Sequence, residues 1–461
     1  MLFKQIPPHH YKYRLFRPIP IAHIFTVNPR TIARKLGLIF LLSFSLNTNC
    51  LSFELFDSVQ IHGFASQTMF LTSGNNMFGP SISNPSFDFT ELGINGSWSP
   101  MPNLLLSMQI ISRRAGNGYD GSPNVDFGLL DYSHFFEDDF KIGFRAGRIR
   151  IPYGLYNDTR DVAFTRPSIL LPQSVYFEGT RDFTISADGL LIYAELLKPW
   201  GNLTLELFGG YNRSNELDAK FSFLSLPGNL EPNPGFSGRL NYESYDASLR
   251  FALSGGYIPM DYKSSSSLIV GPTGTLIPTP TKGKLTFTPM LLSSQYNTDK
   301  WTFTSEYSPF FINTSGLNTV VNPFADSNNF AQSYYFQVAY RFAPKWELMT
   351  RYDAMYTNSH DQNGKESELK SQYLINQLIK NTTNLSSLEA YNLFQFASPA
   401  YSHFAKTLTV GLRYDISPMM MIRAEYNYIN GTAWLPTQGN PIPGETKQYW
   451  DMFGLQVSIR F

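Results

Sequence analysis

The sequence predicts an all-β transmembrane antiparallel barrel of about 16 strands, with short turns at one end and long loops at the other. Three observations carry this. Segments of about ten residues alternate apolar and polar side chains, the connections between them alternate short and long, and four of the six tryptophans sit at or beside the short connections. A strand with lipid on one face and a wet lumen on the other needs period-two alternation.

The chain has 461 residues, 43% hydrophobic and 15% aromatic, with Phe (38) and Tyr (27) far outnumbering Trp (6). A soluble chain of this length usually divides into two or three domains. No linker, composition break or repeat of 20–50 residues divides this one.

Residues 1–52 read as a leader. Leu36 to Leu46 (LGLIFLLSFSL) is the one long apolar run, and eleven residues are too few to span a bilayer as a helix. Arg34 and Lys35 precede it and a small polar stretch, Asn47 to Ser52, follows, which is the pattern of a secretory signal with cleavage after Ser52. A lipoprotein signal acylating Cys50 is the rival reading, and Asn47, Thr48 and Asn49 fit it poorly. Residues 1–33 make a long n-region, as an over-extended translation start would, although no internal Met supports one. The single domain is then 53–461. The leader holds seven bases (Lys4, Lys12, Arg14, Arg17, Arg30, Arg34, Lys35) and no acid, so 29 bases face 36 acids in the remainder, a net charge of −7. Such a chain has no basic surface for nucleic acid. Cys50 leaves with the leader, so no disulfide framework and no Cys metal site are expected, and no cofactor.

The clearest strand is the C-terminal one, where Phe453, Leu455, Val457, Ile459 and Phe461 alternate with Gly454, Gln456, Ser458 and Arg460. A terminal Phe on such a strand resembles the signal read by the barrel-assembly machinery of bacterial outer membranes. Equivalent alternation appears at Leu104–Ile110, Phe140–Ala146, Leu203–Leu207, Ala247–Leu253, Leu408–Leu412 and Met420–Tyr426. A soluble sandwich would show the same period. The connections separate the two readings, with tight turns predicted near 99–102, 137–139, 198–201, 256–259, 297–300, 343–345 and 417–418. Longer polar loops are predicted near 71–86, 114–123, 150–183, 214–243, 270–283, 311–330, 357–404 and 430–447. Seven turns and eight loops join sixteen strands, one of them (about 260–269) inferred partly from that parity. Trp98, Trp200, Trp301 and Trp346 flank the short turns, as an interfacial girdle requires. Sixteen strands enclose an aqueous channel, whereas eight would be filled by side chains.

The third long loop, 150–183, is the most distinctive stretch. Gly154 to Arg181, GLYNDTRDVAFTRPSILLPQSVYFEGTR, resembles a block of porin-like outer-membrane proteins of gammaproteobacteria, and the chain is more distantly similar to the phosphate-selective porin superfamily. The close resemblance spans roughly thirty residues. It implies a barrel fold and a pore for passive diffusion of small ions or hydrophilic solutes, in the outer membrane of a Gram-negative cell. No phosphate-binding ladder is matched residue by residue, so no solute comes with it. In general porins the third loop folds inward and narrows the channel, and homotrimers are common.

The residues support that role for the loop. Leu155, Tyr156, Phe164, Ile169 to Leu171 and Val175 to Phe177 make it apolar enough to pack, and Pro152, Pro167 and Pro172 stiffen it. Its charges, Asp158, Arg160, Asp161, Arg166, Glu178 and Arg181, are the candidate constriction, with Arg160, Arg166 and Arg181 expected to face solutes. The bland alternative is that they pair with one another and anchor the loop. Strand parity puts Arg113, Lys141, Arg145, Arg250, Arg351, Arg413 and Arg423 on the lumen wall, with Arg341 and Arg460, against Glu91, Glu206, Glu306, Glu347, Asp353, Asp415 and Glu425. The slight basic excess hints at anions or neutral solutes, and the alternative is again wall ion pairs.

An enzyme is not expected. Only His62, His134, His360 and His403 follow the leader, none with a Ser or acid at diagnostic spacing, and no HExxH, GxSxG or Walker motif occurs. Within loop 357–404, Glu366 to Lys380 sets Leu369, Tyr373 and Leu378 near one helical face, predicting a short amphipathic helix. A surface-binding protein or a barrel hydrolase without channel activity is the second class of reading.

Overall fold

The computed structural model describes residues 58–213, 228–264, 268–270, 276–278, 280–318, 325–381 and 395–461. The predicted leader and its cleavage site fall outside them.

Sixteen antiparallel passages close into a barrel, the last strand pairing with the first. They are β1 (Val59–Thr72), β2 (Ser86–Met101), β3 (Leu104–Ala115), β4 (Tyr119–Glu137), β5 (Phe140–Arg150), β6 (Ser186–Lys198), β7 (Gly201–Asn212), then β8 (Asn229–Pro232) with β9 (Pro234–Ser244) as two pieces of one passage, and β10 (Leu249–Lys263). A small hairpin, β11 (Leu268–Val270) with β12 (Leu276–Pro278), stands apart from the ring. The ring resumes with β13 (Lys282–Asn297), β14 (Trp301–Ser315), β15 (Ser327–Ala343), β16 (Trp346–Tyr356), β17 (Phe404–Ser417), β18 (Met420–Gly431) and β19 (Tyr449–Arg460). Among the described residues the α-helices are α1 (Arg181–Ile185) and α2 (Lys365–Asn381), the latter where amphipathic spacing predicts it, with Leu369 and Tyr373 exposed.

Alternation sorts the side chains as period two requires. On β18, Met421, Arg423 and Glu425 are buried, and on β17 Thr407 and Thr409 are buried while Leu408, Val410 and Leu412 are exposed. Leu92, Ile94, Met108, Ile192, Leu205, Leu253 and Leu292 continue the exposed apolar band. Trp98, Trp200, Trp301 and Trp346 are exposed at the short-turn end, where Trp301 stacks on Tyr340 and Trp200 on Tyr242. Trp434 and Trp450 belong instead to the interior.

Two passages differ from the sequence reading. The predicted turn at 256–259 lies inside β10, and the predicted loop 214–243 contains β8 and β9, so the strands assigned to 243–256 and 260–269 are replaced by 229–244 and 249–263. Gly255, Gly256 and Pro259 imitate a turn. Pro cannot donate to a ladder and is tolerated at bulges, and Pro259 faces the break between β8 and β9, where the Asn233 amide donates to its carbonyl at 3.0 Å. The true turn is 245–248, where the Asp246 carboxylate accepts from the Ser248 amide and the Ser244 and Ser248 hydroxyls. The predicted loop at 114–123 also shrinks to a three-residue link, 116–118.

The main apolar core lies inside the ring. It joins inward side chains such as Phe70, Phe89, Phe287, Phe310 and Trp450 to Ile169, Leu170 and Phe183 of segment 151–185.

Candidate functional site

Segment 151–185, between β5 and β6, lies against the inner wall. Buried backbone must find partners for its N–H and C=O groups, and this segment has only three single 3₁₀ turns (Asn157–Thr159, Ala163–Thr165, Glu178–Thr180) and α1. Charged wall side chains supply several of the remaining partners. Wall carboxylates accept its amides: Glu306 on β14 takes Leu155 N at 3.1 Å, and Glu425 on β18 takes Ile169 N at 2.7 Å. Wall guanidiniums donate to its carbonyls. Arg239 on β9 reaches Gly154 O at 3.0 Å, Arg351 on β16 reaches Leu170 O at 3.2 Å, and Arg423 on β18 reaches Ser168 O at 3.0 Å, Ala163 O at 2.5 Å and Arg166 O. These partners stand on widely separated strands, so the segment is fastened across the interior and not along one side of it.

Two clusters do most of the fastening. At the first, Glu306 is 1% exposed and accepts four hydrogen bonds, from Leu155 N, the Tyr176 hydroxyl at 3.1 Å, the Ser293 hydroxyl at 2.6 Å and the Tyr335 hydroxyl at 2.8 Å. Tyr176 in turn accepts from Leu155 N and Tyr156 N. Gly154 is required here: its φ is +60°, and a Cβ would overlap the Tyr176 hydroxyl and come within 3.0 Å of the Glu306 carboxylate. Burial pushes the Tyr156 phenol up to about 12.

The second is an ion network at the root of the segment. Arg113 joins Glu91 at 3.1 Å and Glu178 at 2.7 Å, Arg166 joins Glu91 at 3.2 Å, and Arg160 lies 3.4 Å from Glu178. Asp161 takes Arg150 at 2.7 Å and also Arg181, and Arg150 pairs with Asp126 as well. Burial alone would raise the Glu178 carboxyl, but Arg113, Arg160 and Arg181 outweigh it and hold it at about 2. Asp161 is held well below the usual carboxylate range: burial opposes this, and Arg181 and Arg150 prevail. Burial also lowers Arg160 somewhat.

The geometry corrects one expectation. Arg160, Arg166 and Arg181 are 3, 5 and 4% exposed, and their guanidiniums are spent on Glu178, Glu91 and Asp161 and on carbonyls, so they hold the segment and do not face open solvent. Asp158 remains partly exposed while taking Arg239 at 2.7 Å. The wall bases divide the same way. Arg113, Arg351 and Arg423 are covered by the segment. Arg250 donates to Asn241 at 3.1 Å. Lys141 with Glu195 (2.7 Å), Arg145 with Asp131 (2.8 Å), and Arg413 and Arg341 with Asp415 (2.7 and 3.2 Å) stay partly exposed toward the short-turn end. Each of these wall bases has a polar partner, but Arg250 and Arg423 meet only neutral oxygens, so ion pairing offsets only part of the basic excess counted from sequence.

Arg150, Asp126 and Arg239 escaped the sequence reading. Arg239 sat in the stretch read as a loop, and Arg150 at a boundary where strand parity lapses. Among the described residues no histidine joins both a serine and an acid. Ser359 contacts His360 at 3.5 Å, while Asp361 caps the start of α2 through Ser367 and affects His403 only through space. Burial lowers His403, against the pull of Asp361. No group of three or more metal-ligating side chains gathers among the described residues.

No protein-family model matches the sequence, and no curated protein matches it. Solved structures do resemble the fold. In-vitro folded OmpT, an outer membrane protein of Vibrio cholerae, is 12% identical with a TM-score of 0.50, over 88% of this chain and 98% of that one. The trimer form of the same protein gives 10% identity and a TM-score of 0.50, over 88% and 100%. The anion-selective porin from Comamonas acidovorans gives 12% and 0.45, over 87% and 98%. At such identities the likeness is one of fold, and the fold is a closed barrel of 16 antiparallel strands.

Proposed function

We propose that this chain is a porin: a water-filled channel for passive diffusion of small ions or hydrophilic solutes across the outer membrane of a Gram-negative bacterium. One arrangement carries the reading. A ring of sixteen strands presents an apolar, Trp-bordered band outward and partly exposed ion pairs inward, and a single long segment is fastened across its interior. A barrel of this strand number is wide enough for a channel, and segment 151–185, charges Asp158, Arg160, Asp161, Arg166, Glu178 and Arg181 included, is its constriction. The role of those charges is to set the shape of the passage by holding the segment. Export through the leader 1–52, insertion by the barrel-assembly machinery through the Phe461 strand, and a homotrimer belong to the same proposal. Membrane lipid and the solutes are its partners, with no nucleic acid and no catalysis.

Conductance in planar bilayers under a salt gradient tests it. Stable channel-sized steps are expected, with the reversal potential reporting selectivity, and deletion of 157–180 should raise the conductance. Silence from folded protein would favour a surface-binding protein or a barrel hydrolase.

A further inference from the structure

We infer that the long-loop ends of β10 and β13 form a binding site on the outside of the barrel for the anionic phosphate monoesters of glycolipids in the surrounding leaflet, as distinct from the zwitterionic phosphodiester of phosphatidylcholine. The inference rests on the membrane reading above, and three observations carry it.

Lys282 and Lys284 are exposed, and among the described residues neither has an ion pair or a side-chain hydrogen bond. Lys284 shares the outward parity of Met290 and Leu292, the exposed apolar residues of the same strand. In register, Lys282 stands directly opposite Lys263 and Lys284 opposite Asp261. Like charges placed directly across a ladder are destabilising. Lys263 is paired to Glu231, and Asp261 stands opposite Lys284 without closing an ion pair, so among the described residues three lysines face two carboxylates and the Lys282 and Lys284 ammonium groups are unpaired.

The flanking chain cannot neutralise them. Residues 264–281, which link β10 to β13, contain no acid, and neither do 316–325, which follow β14.

The height suits a lipid headgroup. Lys284 is level with Ser315, four residues beyond the exposed Phe311 on β14. At roughly 3.3 Å per residue and a tilt of about 40°, that sets the lysines on the order of 10 Å above the ring formed by Phe311 with Phe330, and Phe236 with Tyr257. Aromatic rings of this kind mark the membrane–water interface, and charges just beyond it meet headgroups. Lysine binds phosphate as a point charge, and a phosphate between Lys282 and Lys284 would remove the repulsion now felt across the ladder.

The test uses the full-length folded protein in vesicles of phosphatidylcholine alone, with added lipopolysaccharide, or with dephosphorylated lipopolysaccharide, and in phosphatidylcholine with inorganic phosphate. The readout is the temperature at which the compact gel band converts to the unfolded one. Only phosphorylated lipopolysaccharide should raise that temperature for the parent. K282A/K284A should lose the rise and K282R/K284R should keep it. An equal rise in K282A/K284A, or an equal rise from inorganic phosphate, overturns the proposal. A compact band in every vesicle type with no lipid response overturns it while leaving the membrane reading standing, whereas no compact band anywhere overturns both.

Discussion

The Tyr176 hydroxyl donates to the Glu306 carboxylate at 3.1 Å while accepting from Leu155 N, so at this point the far limb of segment 151–185 meets both its near limb and the wall. Leu155 N donates to both groups, so a carboxylate on β14 gathers two stretches of chain 21 residues apart. No cation pairs with Glu306 among the described residues, and its charge is satisfied by four neutral donors. A buried donor left without a partner costs roughly 1–3 kcal/mol, so Glu306→Ala should loosen the segment by several kcal/mol without breaking the ring, whose ladder is independent of it. Single-channel recording should then show larger or noisier steps than the parent. Tyr176→Phe, which removes one of the four donors, should show a weaker form of the same change. Unaltered steps in both would mean that the segment is held without this contact.

Acid should act on the second cluster late. The folded Glu178 carboxyl sits at about 2, below an unfolded value of about 4.3. A depressed folded value contributes stability that is full above the unfolded one and is lost as pH falls through the folded one. Thermal stability and conductance should therefore hold from neutrality to about pH 4.3 and decline between there and about pH 2. Glu178→Gln should be less stable at neutral pH and should flatten that decline. Thermal melts of both proteins across the acid range decide it.

Much of the barrel was legible because lipid and lumen impose period two on nearly every strand. The strand count, the outward Leu and Val rows of β17, the inward Arg423 and Glu425, and the four Trp at the short turns all follow from parity. The reading lapsed where local chemistry imitated something else. Gly255, Gly256 and Pro259 carry turn composition inside a strand, and Ala247 continues the Leu249, Phe251 alternation although it lies in a turn. For Arg160, Arg166 and Arg181 the sequence offered both readings, solvent-facing and paired, and the choice between them was out of reach for another reason. A charged loop residue reads alike whether it meets water or a carboxylate from a distant strand, and Glu91, the partner of Arg166, lies 75 positions earlier.

That turn can be probed directly. Ala247 has a φ of +54°, a left-handed conformation that costs an L-residue with a Cβ about 1–2 kcal/mol and suits Gly. Ala247→Gly should stabilise the folded barrel, the gain reduced to about 1 kcal/mol or less by the added freedom of the unfolded chain. Ala247→Val, β-branched, should destabilise it. Denaturant unfolding from vesicles would show both shifts, and reversed signs would place the turn elsewhere.

The seam of the barrel offers the last prediction. Gly63 N donates to Phe461 O at 3.1 Å and Phe461 N to Gly63 O at 3.0 Å, so the C-terminal residue closes the ladder between β19 and β1. The Phe461 ring occupies the space where a Cβ on Gly63 would stand. Gly63 therefore serves as a seat for the terminal ring, and the ring covers backbone that the glycine leaves bare. Gly63→Val would evict the ring while leaving the C-terminal strand sequence untouched. Phe461→Ala would remove the ring and, with it, the feature proposed to be read during assembly. Gly63→Val should thus reach the membrane in near-parental amounts but melt at a lower temperature, whereas Phe461→Ala should lose both yield and stability. Equal loss of membrane yield in the two variants would show that seating the ring, and not reading the terminal strand, limits assembly.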